Sequence, residues 1–383
     1  MKTGVVARGV LATSLELIFA SVSLPSDRNI ENSWNQKMAV TYLDQRAAWW
    51  MAWPGAARGH GTFCISCHTA VPYALSRPAL RAAVGEQGAS NSERKLLENV
   101  TKRVLLWKGI EPFYSDETDG VNKTAESRGT EAVLNALVLA SHDAPQGTLS
   151  HETQIALKNM WSLQVSNGNA TGAWWWLQFN NEPFEGHDSQ YYGATLAAIA
   201  VGITPEQYRA SPEIQNNLKL LQDYLNRAYT KQSIINHAVL LWASARWPGL
   251  LTQERQNSIV SDLLRQQQTD GGWNLASLAW NWRDLSLRSF VKMFFRSYGT
   301  PLEGKSDGYA TGLITFVLEQ AGLRREDIHL AQARAWLIHN QSATEGSWPS
   351  YSLNKRRDPS SATGHFMSDI ATAYAVLALT DVQ

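Results

Sequence analysis

The chain repeats a unit of about 50 to 60 residues, which predicts a fold built from stacked copies of one supersecondary element. Each unit consists of an amphipathic helix, a turn rich in Gly and Trp, and a second helix rich in Ala and Leu. Lys, Arg, Glu and Gln mark one face of the first helix, whereas apolar residues cover most of the second, as expected for a buried element. Because a single hairpin leaves its apolar face uncovered, neighbouring units must stack.

Stacked hairpins of this kind can close into a ring with the polar helices outside. The predicted outer helices span residues 36–53, 92–108, 151–165, 213–228, 254–268 and 328–341. The predicted inner helices begin near Cys64, Glu126, Asp188, Gln232, Asp307 and Asp369. Strand patterns are nearly absent, so the sequence predicts an all-α (α/α)6 toroid of six helical hairpins in a single domain, residues 25–383. An open solenoid of the same hairpins is the alternative.

Three of the turns place a Gln before a Gly-x-Trp or Gly-Gly-Trp sequence. They run from Gln164 to Gly172-Ala-Trp174, from Gln268 to Gly271-Gly-Trp273, and from Gln341 to Gly346-Ser-Trp348. The pattern resembles the QW repeat of squalene-hopene cyclases and of the wider superfamily of terpenoid cyclases and protein prenyltransferases, and that resemblance implies the toroid fold. Secreted bacterial cyclase-like proteins with C-x-x-C-H-T in the first inner helix are most similar. The Asp-x-Asp-Asp acid of the cyclases does not occur, so the resemblance does not extend to their chemistry.

The only two cysteines of the chain lie three residues apart and are followed at once by a histidine, as Cys64, Cys67 and His68. C-x-x-C-H is the attachment motif of c-type haem, in which the thiols bind the porphyrin and the imidazole ligates the iron. The motif predicts haem c and a redox or electron-transfer role. A zinc site, a redox dithiol and two buried structural thiols stay open as alternatives.

A second axial ligand is predicted from ring closure, which would place the last inner helix beside the first. His365 is the favoured residue because imidazole suits both haem iron and zinc. The other candidates are His60, His187, Met51 and Met367.

Parallel inner helices would bring their first turns to one rim of the ring. The candidate catalytic residues on this rim are Glu131, Asp188, His237, Asp307 and Asp369. Each Asp equally suits a helix N-cap. If the acids are catalytic, the protein is a non-redox enzyme, either a terpene-cyclase-like isomerase or a carbohydrate-active enzyme.

The chain has 16 tryptophans, an aromatic content that points to ligand contact as well as packing. The candidate substrate-binding residues are Trp174, Trp175, Trp176, Tyr191, Tyr192 and Tyr309. They predict an apolar small molecule or lipid, with an isoprenoid as one option and a sugar as the alternative. A binding protein without turnover is a third reading.

The first residues predict export. Lys2 and Arg8 precede a mostly apolar stretch that Glu16 interrupts, which is the pattern of a signal peptide over residues 1–24. A periplasmic or secreted location follows, and a redox partner protein is expected there.

The net charge and one insertion bear on whether the protein binds nucleic acid or membranes. The 34 basic and 34 acidic side chains cancel, so no global field favours nucleic acid. Residues 276–305 form an insertion, within which residues 287–298 predict a basic amphipathic helix. Such a helix suits peripheral contact with a membrane, or a lid over the rim.

Overall fold

The computed structural model describes Met1 and residues 33–186, 189–279, 304–355 and 357–380. The predicted signal peptide lies outside the described residues apart from Met1, as do most of the insertion and the segment 287–298. The described secondary structure is predominantly helical, which confirms the all-α prediction. Trp34–Gln383 forms one compact unit. Among the described helices, none is both long and apolar enough to cross a bilayer.

The long helices alternate between half-exposed and buried. In chain order they are α1 (Gln36–Ala52), α2 (Ala70–Ala83), α3 (Asn91–Leu105), α4 (Lys123–Asp143), α5 (His151–Ser162), α6 (Ser189–Gly202), α7 (Gln215–Ala228), α8 (Ile234–Arg246), α9 (Gln253–Arg265), α10 (Gly308–Gln320), α11 (Ile328–His339) and α12 (Phe366–Leu379). Every residue of α12 is buried, whereas α9 buries only Ile259 and Leu263. The odd-numbered helices are therefore the outer set and the even-numbered helices the inner set.

Shorter elements connect the long helices. Two strands, Ala57–Arg58 and Thr62–Phe63, pair antiparallel ahead of α2. Short α-helices occupy Asp116–Asp119, Glu206–Arg209 and Leu275–Ala279.

The inner helices pack in sequence order. Each contacts the next, from α2 through α4, α6, α8 and α10 to α12, and α12 contacts α2 in turn. The first and last of these hairpins are thus neighbours.

Three turns between outer and inner helices use the same hydrogen bonds. In each turn a Gln Nε2 donates to the carbonyl of the turn's own Gly and to a carbonyl at the start of the next outer helix: Gln164 to Gly172 and Asn217, Gln267 to Gly271 and His329, Gln341 to Gly346 and Asn35. The indole N–H of the following Trp donates back to the preceding outer helix: Trp174 to Met160, Trp273 to Leu263, Trp348 to Leu337.

The prediction named Gln268 for the second of these turns, and the bridging residue is instead Gln267. Gln268 is used through its backbone, where its N–H donates to the carbonyl of Gly272 at 2.9 Å and its carbonyl accepts from Gly271.

Candidate functional site

The Cys64–His68 segment lies in the loop before α2, not within its first turns as predicted. The Ser66 hydroxyl accepts hydrogen bonds from the backbone N–H groups of Thr69 and Ala70 at 3.2 and 3.0 Å. This local cap satisfies donors at the start of the helix, which begins at Ala70, after the motif. The Trp50 indole of α1 donates to the Cys64 carbonyl at 2.7 Å and fixes the loop from the other side.

Both cysteines are free thiols, and each is covered by another side chain. Cys64 is 5% exposed and interacts with Tyr114, and Cys67 is 3% exposed and interacts with Glu185. Burial raises the pKa of Cys64 to about 12 and raises the pKa of Cys67 as well. Both groups are therefore protonated at neutral pH and poor nucleophiles in this state.

The His68 imidazole is held between aromatic rings. Phe366, the first residue of α12, stacks on it with ring centroids 3.7 Å apart, and Trp50 meets it edge-on at 5.0 Å. Burial lowers the pKa of His68, and the charges of Arg357 and Arg46 lower it further. The ring is thus neutral and leaves one nitrogen able to act as a ligand or base.

A hydrogen-bonded chain identifies that nitrogen. His68 Nδ1 lies 2.8 Å from the Thr69 hydroxyl oxygen, and the Thr69 hydroxyl donates to Asp369 Oδ2 at 2.6 Å. Because a hydroxyl has one proton and Thr69 gives it to the carboxylate, Nδ1 of His68 must be the donor to Thr69. The lone pair is therefore on Nε2, which receives no hydrogen bond from the described residues.

Asp369, predicted as a catalytic acid, is the anchor of this chain. Its carboxylate also accepts from Arg46 through Nε at 2.6 Å and Nη2 at 2.9 Å, and from the Tyr42 hydroxyl at 2.9 Å. These donors and Thr69 occupy both oxygens. The residue therefore connects α1, α12 and the motif.

Asp307, predicted as a second catalytic acid, caps α10. Oδ1 accepts from the backbone N–H groups of Tyr309 and Ala310 and from the Ser350 hydroxyl, each at 3.0 Å, and Oδ2 accepts from Leu275 N–H at 2.6 Å. Burial raises the pKa of Asp307, while these hydrogen bonds act in the opposite direction. Its oxygens are fully used in holding the start of α10 to two neighbouring segments.

The remaining candidate acids and bases lie in other settings. Glu131 of α4 forms a fully buried ion pair with Arg103 of α3, with contacts of 2.5 and 3.0 Å. His237 of α8 stacks on Tyr229 with centroids 4.1 Å apart. Asp188 lies outside the described residues, together with His187.

Buried aromatic side chains lie next to the motif. Tyr309 lies 5.5 Å from Tyr374 and 5.8 Å from Phe184, and Phe184 lies 6.4 Å from Tyr192, measured between ring centroids. Tyr192 also interacts with Tyr374 and with Cys67. All four aromatic residues are buried. An apolar ligand at this point would have to displace them.

The other candidate substrate-binding residues are used mainly in the fold. Trp174 donates to Met160 as described, Trp176 donates to the Phe184 carbonyl at 2.8 Å, and Tyr191 donates to the Leu225 carbonyl at 3.0 Å. Trp175 differs, because 49% of it is exposed. It is the member of this set that a partner in solution would meet first.

The candidate second axial ligands are dispersed. His365 Nδ1 lies 3.5 Å from the Tyr42 hydroxyl, so it borders the Asp369 network. Met367 is buried in α12. Met51 lines a cleft of about 440 Å³ between α1 and α3. His60 is exposed in the turn between the two strands, with a φ of 60°.

Sequence reasoning missed Tyr114, Glu185 and Tyr374, which the structure places against the motif or beside it. Glu185 is in the loop before α6 and interacts with Asn181, Lys355 and Arg357 as well as Cys67. Burial of its carboxyl group raises the pKa of Glu185, and these partners lower it. Its position four residues before α6 could have identified Glu185 as a candidate acid. The prediction instead named Asp188, which is nearer to the start of the helix.

The donor groups at the motif are of the types that c-type haem uses. Zinc needs ligands that converge at about 2.0–2.3 Å, and the described residues contain no group of three His, Cys, Asp or Glu side chains arranged to hold a metal ion. Haem c instead takes its thiols at the porphyrin edge and its imidazole at the iron, so convergence is not required. Two free thiols and a neutral imidazole with a free Nε2 supply that set, while Tyr114 and Glu185 cover the thiols.

Comparison with known proteins gives little further constraint. No protein-family model matches the chain, and no curated protein matches it. Among solved structures, a glycosidase variant in complex with glucose is similar, with a TM-score of 0.46 and 12% sequence identity over 90% of this chain and 96% of that chain.

Proposed function

We propose that the chain is an extracytoplasmic (α/α)6 toroid protein that carries c-type haem on Cys64, Cys67 and His68 and serves electron transfer or redox chemistry. Bound haem would supply one-electron chemistry, and the chain would supply the thiols, the axial imidazole and a surrounding of low polarity. A redox partner protein and a periplasmic or secreted location belong to the same proposal.

Closure of the ring is supported by the packing of α12 on α2 and by the three shared turns. In the last of these turns, Gln341 reaches Asn35 at the start of α1 with the same hydrogen bond that joins neighbouring units elsewhere. Six hairpins, each pairing an outer with an inner helix, therefore form the proposed toroid, which is the architecture that the resemblance to QW-repeat proteins implies.

The single observation that carries the haem proposal is the state of His68. Its Nδ1–H is engaged by Thr69 and its Nε2 is free within the described residues, which is the arrangement that an axial imidazole requires. The positive charge of Arg357 near the ring suits a carboxylate of a haem, whereas Arg46 is already paired with Asp369.

The covered thiols set a condition on attachment. Tyr114 and Glu185 interact with the two thiols in the folded chain, and both come from loops rather than from the long helices. We propose that attachment takes place while these loops are open, or before the chain has folded.

Expression in the periplasm with haem-maturation machinery tests the proposal. The chain should show a Soret band that stays with the protein in denaturant and a mass increase of one haem. Cys64→Ala/Cys67→Ala should abolish covalent attachment, and His68→Ala should change the spectrum of any haem that remains. A wild-type chain that leaves this system without covalent haem overturns the proposal.

His365 is proposed as the second axial ligand because imidazole suits haem iron and His365 directly precedes Phe366, which stacks on His68. Tyr42 lies 3.5 Å from His365 Nδ1 and donates to Asp369, which also accepts from Thr69. His365→Ala should shift the haem from low spin toward high spin without unfolding the chain. An unchanged spectrum would remove His365 from the iron.

A non-redox acid–base enzyme is the second candidate, favoured by the contact between Glu185 and Cys67 beside Phe184 and Tyr192. Burial raises the pKa of Glu185, and a carboxyl group with a raised pKa suits general acid catalysis. In this case Glu185→Gln should abolish turnover while leaving any haem attachment unchanged, and a chain without haem should remain active.

A further inference from the structure

We infer that Thr69 and Asp369 are positioning residues for His68, which fix its tautomer and ring orientation from the opposite end of the chain. The inference rests on the proposed haem role for its functional meaning, but the hydrogen-bonded chain itself can be tested without haem. Asp369 lies 300 residues from Thr69 in sequence and 2.6 Å away in space, so the ligand geometry depends on closure of the ring.

The Thr69 hydroxyl cannot reverse the direction of its hydrogen bond to Asp369. Asp369 accepts two hydrogen bonds from Arg46, one from Tyr42 and one from Thr69, so its carboxylate acts as an acceptor throughout. With Thr69 as donor to Asp369, the His68 Nδ1–H is the remaining partner for the Thr69 oxygen at 2.8 Å. The alternative Nε2–H tautomer would place two lone pairs against each other at this distance.

The Asp369 carboxylate is fixed in position by Arg46. Arg46 is bidentate on Asp369, and its Nη2 also donates to the Ala362 carbonyl at 2.8 Å, in the turn that leads into α12. Asp369 is 2% exposed, so solvent does not compete for it. The anchor is thus held by α1 and α12 together.

The plane of the His68 imidazole is set by α12. Phe366 and Asp369 are three residues apart in α12 and therefore lie on the same face of the helix. Phe366 stacks on the imidazole at 3.7 Å while Asp369 reaches it through Thr69. One helical turn of the last inner helix therefore controls both the tilt of His68 and its proton.

A hydrogen bond that leads to a carboxylate makes an imidazole a more basic ligand, because negative charge behind Nδ1–H strengthens donation from Nε2. In the haem-loaded chain this favours the oxidised iron and lowers the reduction potential. Loss of the hydrogen bonds that connect His68 to Asp369 through Thr69 should raise the reduction potential.

The haem-free test uses nitrogen-15 NMR of the His68 ring in the full chain. Wild type should show the Nδ1–H tautomer, Thr69→Ser should retain it, and Thr69→Val, which keeps the shape but removes the hydroxyl, should give an Nε2–H tautomer or a mixture. Thr315→Val is the matched control. Thr315 is buried like Thr69, but its hydroxyl donates to the Thr311 carbonyl within the same helix and not to a histidine partner. An Nε2–H tautomer in wild type, or an unchanged tautomer in Thr69→Val, overturns the inference.

The haem-loaded test separates this inference from the proposed function. If wild type carries no haem, the proposed function fails while the NMR result still decides the tautomer. If wild type carries haem, Thr69→Val should raise the midpoint potential and Thr69→Ser should restore it toward wild type. Equal potentials in wild type and Thr69→Val would show that the chain through Thr69 does not act on the iron ligand.

Discussion

Gly346, in the turn after the last outer helix, packs directly against the backbone of Met38 in the first outer helix. A β-carbon added to Gly346 would lie 2.5 Å from the Met38 carbonyl carbon, and the φ of 76° is one that glycine adopts without strain. Gly172 and Gly271 approach the next outer helix in the same way. The contact therefore repeats, between the last and first units, the joint used between neighbours.

Gly346→Ala should destabilise the fold more than a positive φ alone explains. The matched control is Gly322→Ala, because Gly322 has a φ of 93° but nothing within 4 Å of an added β-carbon. The control should lose about 1 kcal/mol, and Gly346→Ala a further 1–3 kcal/mol or so from overpacking. Urea unfolding of both variants measures the difference. Equal losses would show that the joint at Gly346 yields without cost.

The thiols of the folded, haem-free chain should resist modification. Burial raises the pKa of Cys64 to about 12, while a thiol in an unfolded chain has a pKa of about 8.5. In the folded state the Cys64 thiol therefore stays protonated at pH values above 8.5, where an unfolded thiol would ionise. Its reaction with iodoacetamide should stay slow through pH 10 in native buffer. In denaturant both cysteines should react within minutes. Rapid native labelling at pH 8 would contradict the enclosed geometry.

The loop that covers Cys67 is held by a second loop, which gives a way to open the site without touching it. Asn354 donates to the carbonyl and side-chain oxygens of Asn180 at 2.9 Å and accepts from Glu182 N–H at 3.2 Å, and Lys355 donates to the Phe179 carbonyl at 2.8 Å. These residues are close to Glu185 in the chain. They fasten the cover over the thiol.

Asn354→Ala should therefore speed native labelling of Cys67. Loss of about 1–2 kcal/mol of local hydrogen bonding corresponds to roughly 5- to 30-fold more frequent opening. Asn340→Ala is the control, since the Asn340 side chain donates to Trp336, four residues earlier at the end of the same helix. Equal labelling rates in wild type and Asn354→Ala would mean that Cys67 is reached by another route.

Periodicity predicted the helices well because burial controls them. The predicted outer helix 36–53 and the observed Gln36–Ala52 differ by one residue, and α10 begins beside the predicted Asp307. The motif was misplaced because Ser66 caps α2 from within the C-x-x-C-H sequence, a local hydrogen bond that no apolar pattern reveals.

The site was harder to predict because its partners are distant in sequence. The roles of Asp369 and Glu185 depend on contacts with Thr69 and Cys67, which lie 300 and more than 100 residues away. Sequence alone identifies Asp369 as a polar residue at a helix start. Only the packing of α12 beside α2 shows that it holds His68 through Thr69.

The last prediction separates the structural role of Asp307 from a catalytic one. An Asn cap is equivalent to Asp in general, so sequence reasoning predicts a loss of under about 1 kcal/mol for Asp307→Asn. The structure changes this expectation, because Oδ2 accepts from Leu275 N–H at 2.6 Å and an amide NH₂ there would face another donor. The loss should be about 1–3 kcal/mol. Asp327→Asn is the control, since Asp327 caps α11 through the N–H of His329 alone and should change stability by under about 0.5 kcal/mol. Urea unfolding of the two variants decides the matter: equal, small losses would mean that the Leu275 contact contributes little and would leave Asp307 available for chemistry.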